Sequence, residues 1–294
     1  MRLGADRESL TIRAWQLAIL VFLIAVWQWG WEYKERFDWL VPNLLDPYFV
    51  SRPSRIWERF LRLACFTDRA GRWQLGPDGG FMACLTGNPR NLWIQTAATL
   101  RNTLWGFLIG VSSGVLAGLI LGRSQRLARI FEPYIVAFNS LPRIALVPLI
   151  ILMFGLGDLS KIVTAWVIVF FVVFFNTFEG ARAVDADHIN AARLLGANQW
   201  RIVLTVVVPS TMAWVFAALT PAVSFSLIGV IVGEFIGAEH GLGKLIVEAE
   251  ARADSTDMMV AMFVLMVIGV VLALLIRRLQ NYLLRWQAHF QERG

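Results

Sequence analysis

Long uninterrupted apolar runs, and not short alternating ones, dominate the chain. Six stand out: Ala14 to Trp31, Leu104 to Leu121, Tyr134 to Leu156, Ile162 to Phe178, Met212 to Val232 and Met258 to Ile276. At about 1.5 Å per helical residue each is long enough to cross roughly 30 Å of hydrocarbon. The period-two alternation that a membrane barrel needs is missing. The pattern predicts an all-α, polytopic membrane protein with six transmembrane helices, forming a single domain over residues 1–294.

The polar flanks orient these spans. Arg2, Arg7 and Arg13 give the first run the basic start of a signal peptide, yet it ends in Trp27, Trp29, Trp31 and Tyr33 with no small-residue cleavage site. It reads as an uncleaved anchor with an aromatic interfacial belt. Arginines cluster after the second span (Arg123, Arg126, Arg129), the fourth (Arg182, Arg193, Arg201) and the sixth (Arg277, Arg278, Arg285). Those ends, and with them both termini, are expected to be cytoplasmic. The stretch 32–103 carries ten Lys and Arg residues, but loops this long translocate largely regardless of charge, so it is expected to be extracytoplasmic.

Composition excludes the soluble classes. With 57% hydrophobic and 16% charged residues and a mean hydropathy of +0.59, the 294-residue chain departs from soluble domains, where about a quarter of residues are charged. Disorder and collagen-like repeats are excluded as well, because neither low apolar content nor a Gly-X-Y period is present. A net charge of +6 would suggest nucleic acid for a soluble protein. Here it suits arginines beside anionic membrane lipid on the cytoplasmic side, with no nucleic-acid partner.

Within the outer stretch, Pro53 to Leu63 places Ile56, Phe60 and Leu63 at helical spacing with Arg55, Arg59 and Arg62 interleaved. This suits either a short helix lying in the membrane interface or a core-packed one. Phe66 to Arg90, rich in Gly, Pro, Asp and Asn, reads as an irregular insertion. Its ends carry the only cysteines, Cys65 and Cys84. Either they pair in an oxidising compartment, contributing about 3 kcal/mol through loop entropy, or they stay free and buried.

Between the fourth and fifth spans, residues 179–210 are too polar to cross a bilayer and too patterned for a linker. Asp187 can cap a helix whose amphipathic turn is Ile189, Ala192 and Leu195, and Gly196 stops it where a left-handed residue is wanted. A second helical stretch can begin after Asn198, with Trp200, Val203 and Val207 on one face, until Pro209 interrupts it. Small residues at Ala191, Ala192, Gly196 and Ala197 would let another protein's groove approach the backbone closely. A plain helical loop covering the bundle ends fits the same composition.

Asn190-Ala191-Ala192, three residues, Gly196, nine residues, Val206, then Val208-Pro209 resembles the EAA motif of bacterial ABC-importer permeases: Glu-Ala-Ala, three residues, Gly, nine residues, Ile, one residue, Leu-Pro. Val206 and Val208 are conservative departures. Asn190 in place of Glu is not. The run Ser51 to Trp57, the run Ser140 to Leu149 and Gly241-Leu242-Gly243 resemble the nitrate/sulfonate/taurine/bicarbonate branch of that family. The resemblance implies a type I importer-like fold in a bacterial inner membrane, non-catalytic and working as a homodimer with two cytoplasmic ATPase subunits and a periplasmic solute-binding protein. It implies a coupling helix at Asn190, Ala191, Ala192, Arg193, Gly196 and Ala197.

Ala238 to Leu245 has Ala where a phosphate loop has its first Gly and Leu where it has its Mg²⁺-binding Ser or Thr. No cofactor is expected on this chain, and the resemblance implies ATP and Mg²⁺ on the partner ATPase. His188, His240 and His289 lack metal-ligand spacing, so no catalytic or metal residue is assigned. Polar residues within the spans are candidates for a translocation path for a small anionic solute. Arg143, between Pro142 and Pro148, either faces a water-filled route or snorkels to the interface. Asn139, Asn176, Ser224 and Ser226 either line the same path or bond to neighbouring helices. Glu234, placed in the loop after the fifth span, serves as a gate, a docking point or part of a hydrated structural loop. The alternative function, an ion-gradient-driven secondary transporter, would call for inverted repeats and acidic residues near the bilayer centre.

Overall fold

A computed structural model of the chain describes residues 2–30, 46, 48–68, 71–73, 80–88 and 90–283. The expected belt residues Trp31 and Tyr33, and Arg285 and His289, lie outside the described residues. The helices are α1 (Arg2–Trp29), α2 (Pro53–Leu63), α3 (Gly80–Gly87), α4 (Leu92–Arg123), α5 (Gln125–Ser140) and α6 (Val147–Phe154). They continue with α7 (Asp158–Arg182), α8 (Ala186–Leu194), α9 (Gln199–Ile202), α10 (Val208–Ile236), α11 (Leu242–Ala251) and α12 (Ser255–Leu283). Among the described residues, five helices are long and apolar enough to cross a membrane, or six if a bent pair forms one span. The chain falls into two compact units, Met1–Trp93 with Leu245–Phe263, and Ile94–Lys244 with Val264–Gly294.

In the first unit, α1 keeps its described apolar side chains outward, including Trp15, Leu17 and Phe22, as a lipid-facing span requires. Gln28 near its end bonds Ser54 twice, through the hydroxyl at 3.0 Å and the backbone N–H at 3.1 Å. Pro53 opens α2, where a missing N–H costs nothing, and Ile56 and Leu63 are buried. Arg59 grips Asp257 of α12 with two bonds of 2.5 and 2.9 Å. The hydrogen-bonded Asp257 carboxylate raises the guanidinium above its ordinary pKa, so it stays charged at any working pH. Cys65 is fully buried and bonded to Cys84. Cys84 belongs to α3, so part of the stretch read as an irregular insertion is helical.

The second unit is built on glycine. Gly106, Gly110, Gly114, Gly118 and Gly122 recur every fourth residue along α4 and face α7, where a Cβ at any of them would come within 2.4 to 2.9 Å of the neighbouring helix. Their partners climb α7 in the same order, from Ala165 through Val169 and Thr177 to Ala181, so the two helices run parallel. Small residues at this spacing let backbones approach closely enough for dispersion and helix–helix contacts to hold a membrane bundle. On α10, Gly229 meets Ala165 and Gly233 meets Lys161, while Trp214 lies over Gly180, so α10 runs antiparallel to α7. Val169, Val173, Phe216 and Leu219 fill the space between, and Leu272 and Ile276 of α12 pack on them.

Two expectations are corrected here. The helices outrun the apolar runs, because α4 buries Gln95, Thr99, Asn102 and Thr103 and bonds them inside the protein, where hydropathy alone marks an end. The third span, Tyr134 to Leu156, is not one helix. α5 stops at Ser140, Leu141 is extended, a 3-10 turn covers Arg143–Leu146, and the two arms are bent by 81°. Pro142 disfavours helical Leu141 before it, and Pro148 is accommodated in the first turn of a new helix.

Candidate functional site

The loop after α7 folds as an elbow. Asp185, and not Asp187 as expected, caps α8: its carboxylate accepts the Asp187 N–H at 2.9 Å. At the other end Gly196 N–H donates to the Arg193 carbonyl at 2.9 Å and Ala197 N–H to the Ala192 carbonyl at 3.0 Å. This is a Schellman ending, which needs a left-handed residue, and Gly196 supplies it at φ +79°. Asn198 then caps α9 by accepting from Arg201 N–H at 2.8 Å. Pro209 does not interrupt this second stretch. A π-helical turn, Val203–Val207, joins α9 to α10 and leaves the proline in the opening turn of α10, where its missing N–H is tolerated.

The elbow has two faces. Ile189, Ala192, Ala197 and Val206 pack on Ala181, Ile202 and Val207, so α8 is fastened to the ends of α7 and α10. Opposite them, Asn190, Ala191, Arg193 and Gly196 are exposed. Arg193 donates to the Asn190 side-chain oxygen at 3.4 Å, so the residue standing in place of the motif's Glu is engaged within its own helix. Three large apolar side chains are exposed as well: Leu194 at 89%, Leu195 at 88% and Trp200 at 74%. The helical period placed Leu195 on the packed face, but α8 ends at Leu194 and the turn swings Leu195 outward. Leu194, inside the motif's three-residue spacer, is not singled out by the helical period.

The expected path residues are spread over α5, the 3-10 turn after it, α7 and α10. Arg143 is half-buried in the broken span, its guanidinium 5.2 Å from the centre of the Phe171 ring. Asn176 donates to the Val172 carbonyl at 2.8 Å, and exposed Ser224 to the Thr220 carbonyl at 3.5 Å. Ser226 is fully buried and donates across helices to the Thr103 carbonyl at 2.7 Å, tying α10 to α4. The side chain of Asn139, on α5, lies outside the described residues.

Glu234 is not in a hydrated loop. α10 continues past Val232, and the carboxylate is 1% exposed. It accepts from the Thr99 hydroxyl at 2.8 and 3.1 Å and from Gly243 N–H at 2.8 Å. Beside it Gln95 accepts from Gly241 N–H at 2.5 Å, and Thr99 from Leu242 N–H at 2.9 Å. Gly241 sits at φ +131°, and a Cβ there would come within 2.2 Å of the carboxylate. The glycine-rich turn is therefore folded over a buried acid whose bonds are supplied by the chain itself. On α7, buried Lys161 donates to the carbonyls of Leu156 and Gly157.

Comparison with known proteins identifies the family. Residues 110–289 match the family described as the binding-protein-dependent transport system inner membrane component. The taurine transport system permease of Escherichia coli is 27% identical over 278 residues, which cover 94% of this chain and 90% of that protein. The riboflavin transport system permease of Chloroflexus aurantiacus is 32% identical over 197 residues, 67% of this chain and 74% of its own. Among solved structures, the MetNI methionine ABC transporter in an inward facing conformation shares the fold, with a TM-score of 0.53 at 22% identity over 66% of this chain and 94% of that one. The chain belongs to the family of binding-protein-dependent transport system inner membrane components.

Proposed function

We propose that this permease subunit of an ATP-driven importer pairs with a second copy of itself and docks two cytoplasmic ATPase chains on its elbow. It works as one permease domain in a bacterial inner membrane, with both termini and the elbow cytoplasmic and residues 32–103 outside. The observation that carries the docking is the exposed trio Leu194, Leu195 and Trp200 beside the small side chains of Ala191 and Gly196. Large apolar side chains held out from a capped, otherwise polar segment are the anchors of an interface that a partner completes. The ATPase would bind ATP and Mg²⁺ and close on them, and the elbow would pass that movement to α7 and α10 through Ile189, Ala192 and Val206. The bundles then shift as rigid bodies between inward-open and outward-open states.

The solute is a small anion delivered by a periplasmic binding protein. A cation, Arg143, in the broken span supports this, and the taurine permease among the relatives supports a sulfonate group on the solute. Asn139, Asn176 and Ser224 belong to the same path, and Ser226 serves it from behind by holding α10 to α4. The docking is tested by Leu194→Asp combined with Leu195→Asp, purified with the ATPase subunits encoded for the same transporter. The variant is expected to insert and fold normally and to lose the ATPase on size exclusion. Retention of a stoichiometric ATPase would refute the elbow as the docking site.

A further inference from the structure

The arginine-rich end of the second unit holds a cavity that transport, as described, does not use. It measures about 410 Å³ and is lined by Arg123, Arg129, Glu132, Arg182, and by Ala186 and Ile189 of α8. That volume falls within the roughly 300–1,000 Å³ of small-molecule sites. Among the described residues none of the three arginines is in an ion pair. Arg123 donates to the neutral Gln199 amide at 3.4 Å, and Arg182 lies over the Phe178 ring at 5.4 Å. Helix macrodipoles explain Arg123 and Arg182, which stand in the last turns of α4 and α7. They do not explain Arg129, which lies past the first turn of α5 and beyond the reach of the dipole.

Deeper along the same three helices lies an apolar cleft of about 470 Å³, lined chiefly by Phe131, Tyr134, Phe138, Phe170, Phe171 and Phe174. From Arg182 to Phe171, α7 descends about 16 Å, close to one leaflet of a hydrocarbon core roughly 30 Å thick. A cationic cavity at the end of the bundle and, further along the same helices, an aromatic cleft together have the polarity profile of a lipid. We infer that α4, α5 and α7 form a binding groove for one acidic phospholipid, its phosphate held by Arg123, Arg129 and Arg182 and one acyl chain in the aromatic cleft. Free phosphate would leave the cleft empty, and an apolar partner helix would bring no anion to the arginines. Because Ala186 and Ile189 wall the cavity, the headgroup touches the elbow and sets its position. The effect on the elbow rests on the proposed function, and Phe171 of the cleft also carries Arg143; lipid binding itself is read without transport.

The test uses the full-length chain in mild detergent, with whatever subunits accompany it, exposed to phosphatidylglycerol or phosphatidylcholine in mixed micelles. Bound lipid is counted by native mass spectrometry. One phosphatidylglycerol per chain is expected, preferred about tenfold over phosphatidylcholine. The combined Arg123→Gln, Arg129→Gln and Arg182→Gln variant should lose that preference. Ala117→Trp, which fills the cleft and leaves the arginines intact, should lose retention of both lipids. If the triple variant fails to fold, Arg129→Gln alone, at an exposed position, should still lower the preference several-fold. Equal retention of the two lipids, or an unchanged preference in the arginine variants, would overturn the site. Glycerol phosphate binding as tightly as the lipid would replace it with a free-phosphate site. Cross-linking of Arg129→Cys to a second copy or another subunit in native membranes would replace it with a protein interface.

Discussion

At one end of the α4, α7 and α10 bundle the polar groups are answered within the chain: Glu234 accepts hydrogen bonds from Thr99 and Gly243, and Gln95 accepts one from Gly241. At the other end the elbow leaves Leu194, Leu195 and Trp200 outside, with its caps satisfied but its apolar surface uncovered. Two glycines make the contrast concrete. Gly241 and Gly196 both hold left-handed backbone, yet an added Cβ at Gly241 would strike the Glu234 carboxylate, while at Gly196 it would meet nothing within 4 Å. The crowded end closes on itself, and the open end leaves apolar surface uncovered.

Substitutions can break this comparison, and their expected effects fall in order. Gly241→Ala combines a left-handed alanine with a Cβ pressed on a buried carboxylate, and it should cost more than about 3 kcal/mol in unfolding of the solubilised chain. A loss below 1 kcal/mol would mean the turn is not packed as described. Glu234→Ala leaves the Gly243 N–H and the Thr99 hydroxyl without their acceptor, at about 1–3 kcal/mol for an unmet buried group, whereas Glu234→Gln keeps an acceptor and should cost clearly less. Equal losses for the two would point to the charge and not to the hydrogen bonds.

The elbow should respond more mildly. Gly196→Ala pays only for its backbone, about 1–2 kcal/mol, because no neighbour obstructs the methyl group. Leu194→Asp with Leu195→Asp should move stability by no more than about 0.5 kcal/mol per site, as for surface positions generally. A thermal melt that drops sharply in this variant would show that the leucines support the fold and do not wait for a partner.

How much of this was legible follows from where each signal lives. Long apolar runs announce membrane helices because hydrocarbon rewards them residue by residue, and the Schellman ending at Gly196 is local, so both could be read directly. Glu234 could not: its burial depends on Thr99, 135 positions away in sequence, and a lone carboxylate beyond an apolar run looks like the start of a loop. The glycine stripe from Gly106 to Gly122 was visible as a four-residue period, but its partner helix was not. The bend at Arg143 was foreshadowed by Pro142 and Pro148, though not its 81°. Leu195 went astray because helical periodicity was carried one residue beyond the helix.

The central claim is that the elbow, and not the Glu234 end, meets the motor. It is tested most directly by placing single cysteines at Ala191→Cys and Glu239→Cys, with the Cys65–Cys84 pair left oxidised, and treating native membranes with a short thiol-to-amine cross-linker. The account predicts an ATPase adduct from position 191 and none from position 239. An adduct from 239, or none from 191 in a complex that still hydrolyses ATP and transports, would contradict it.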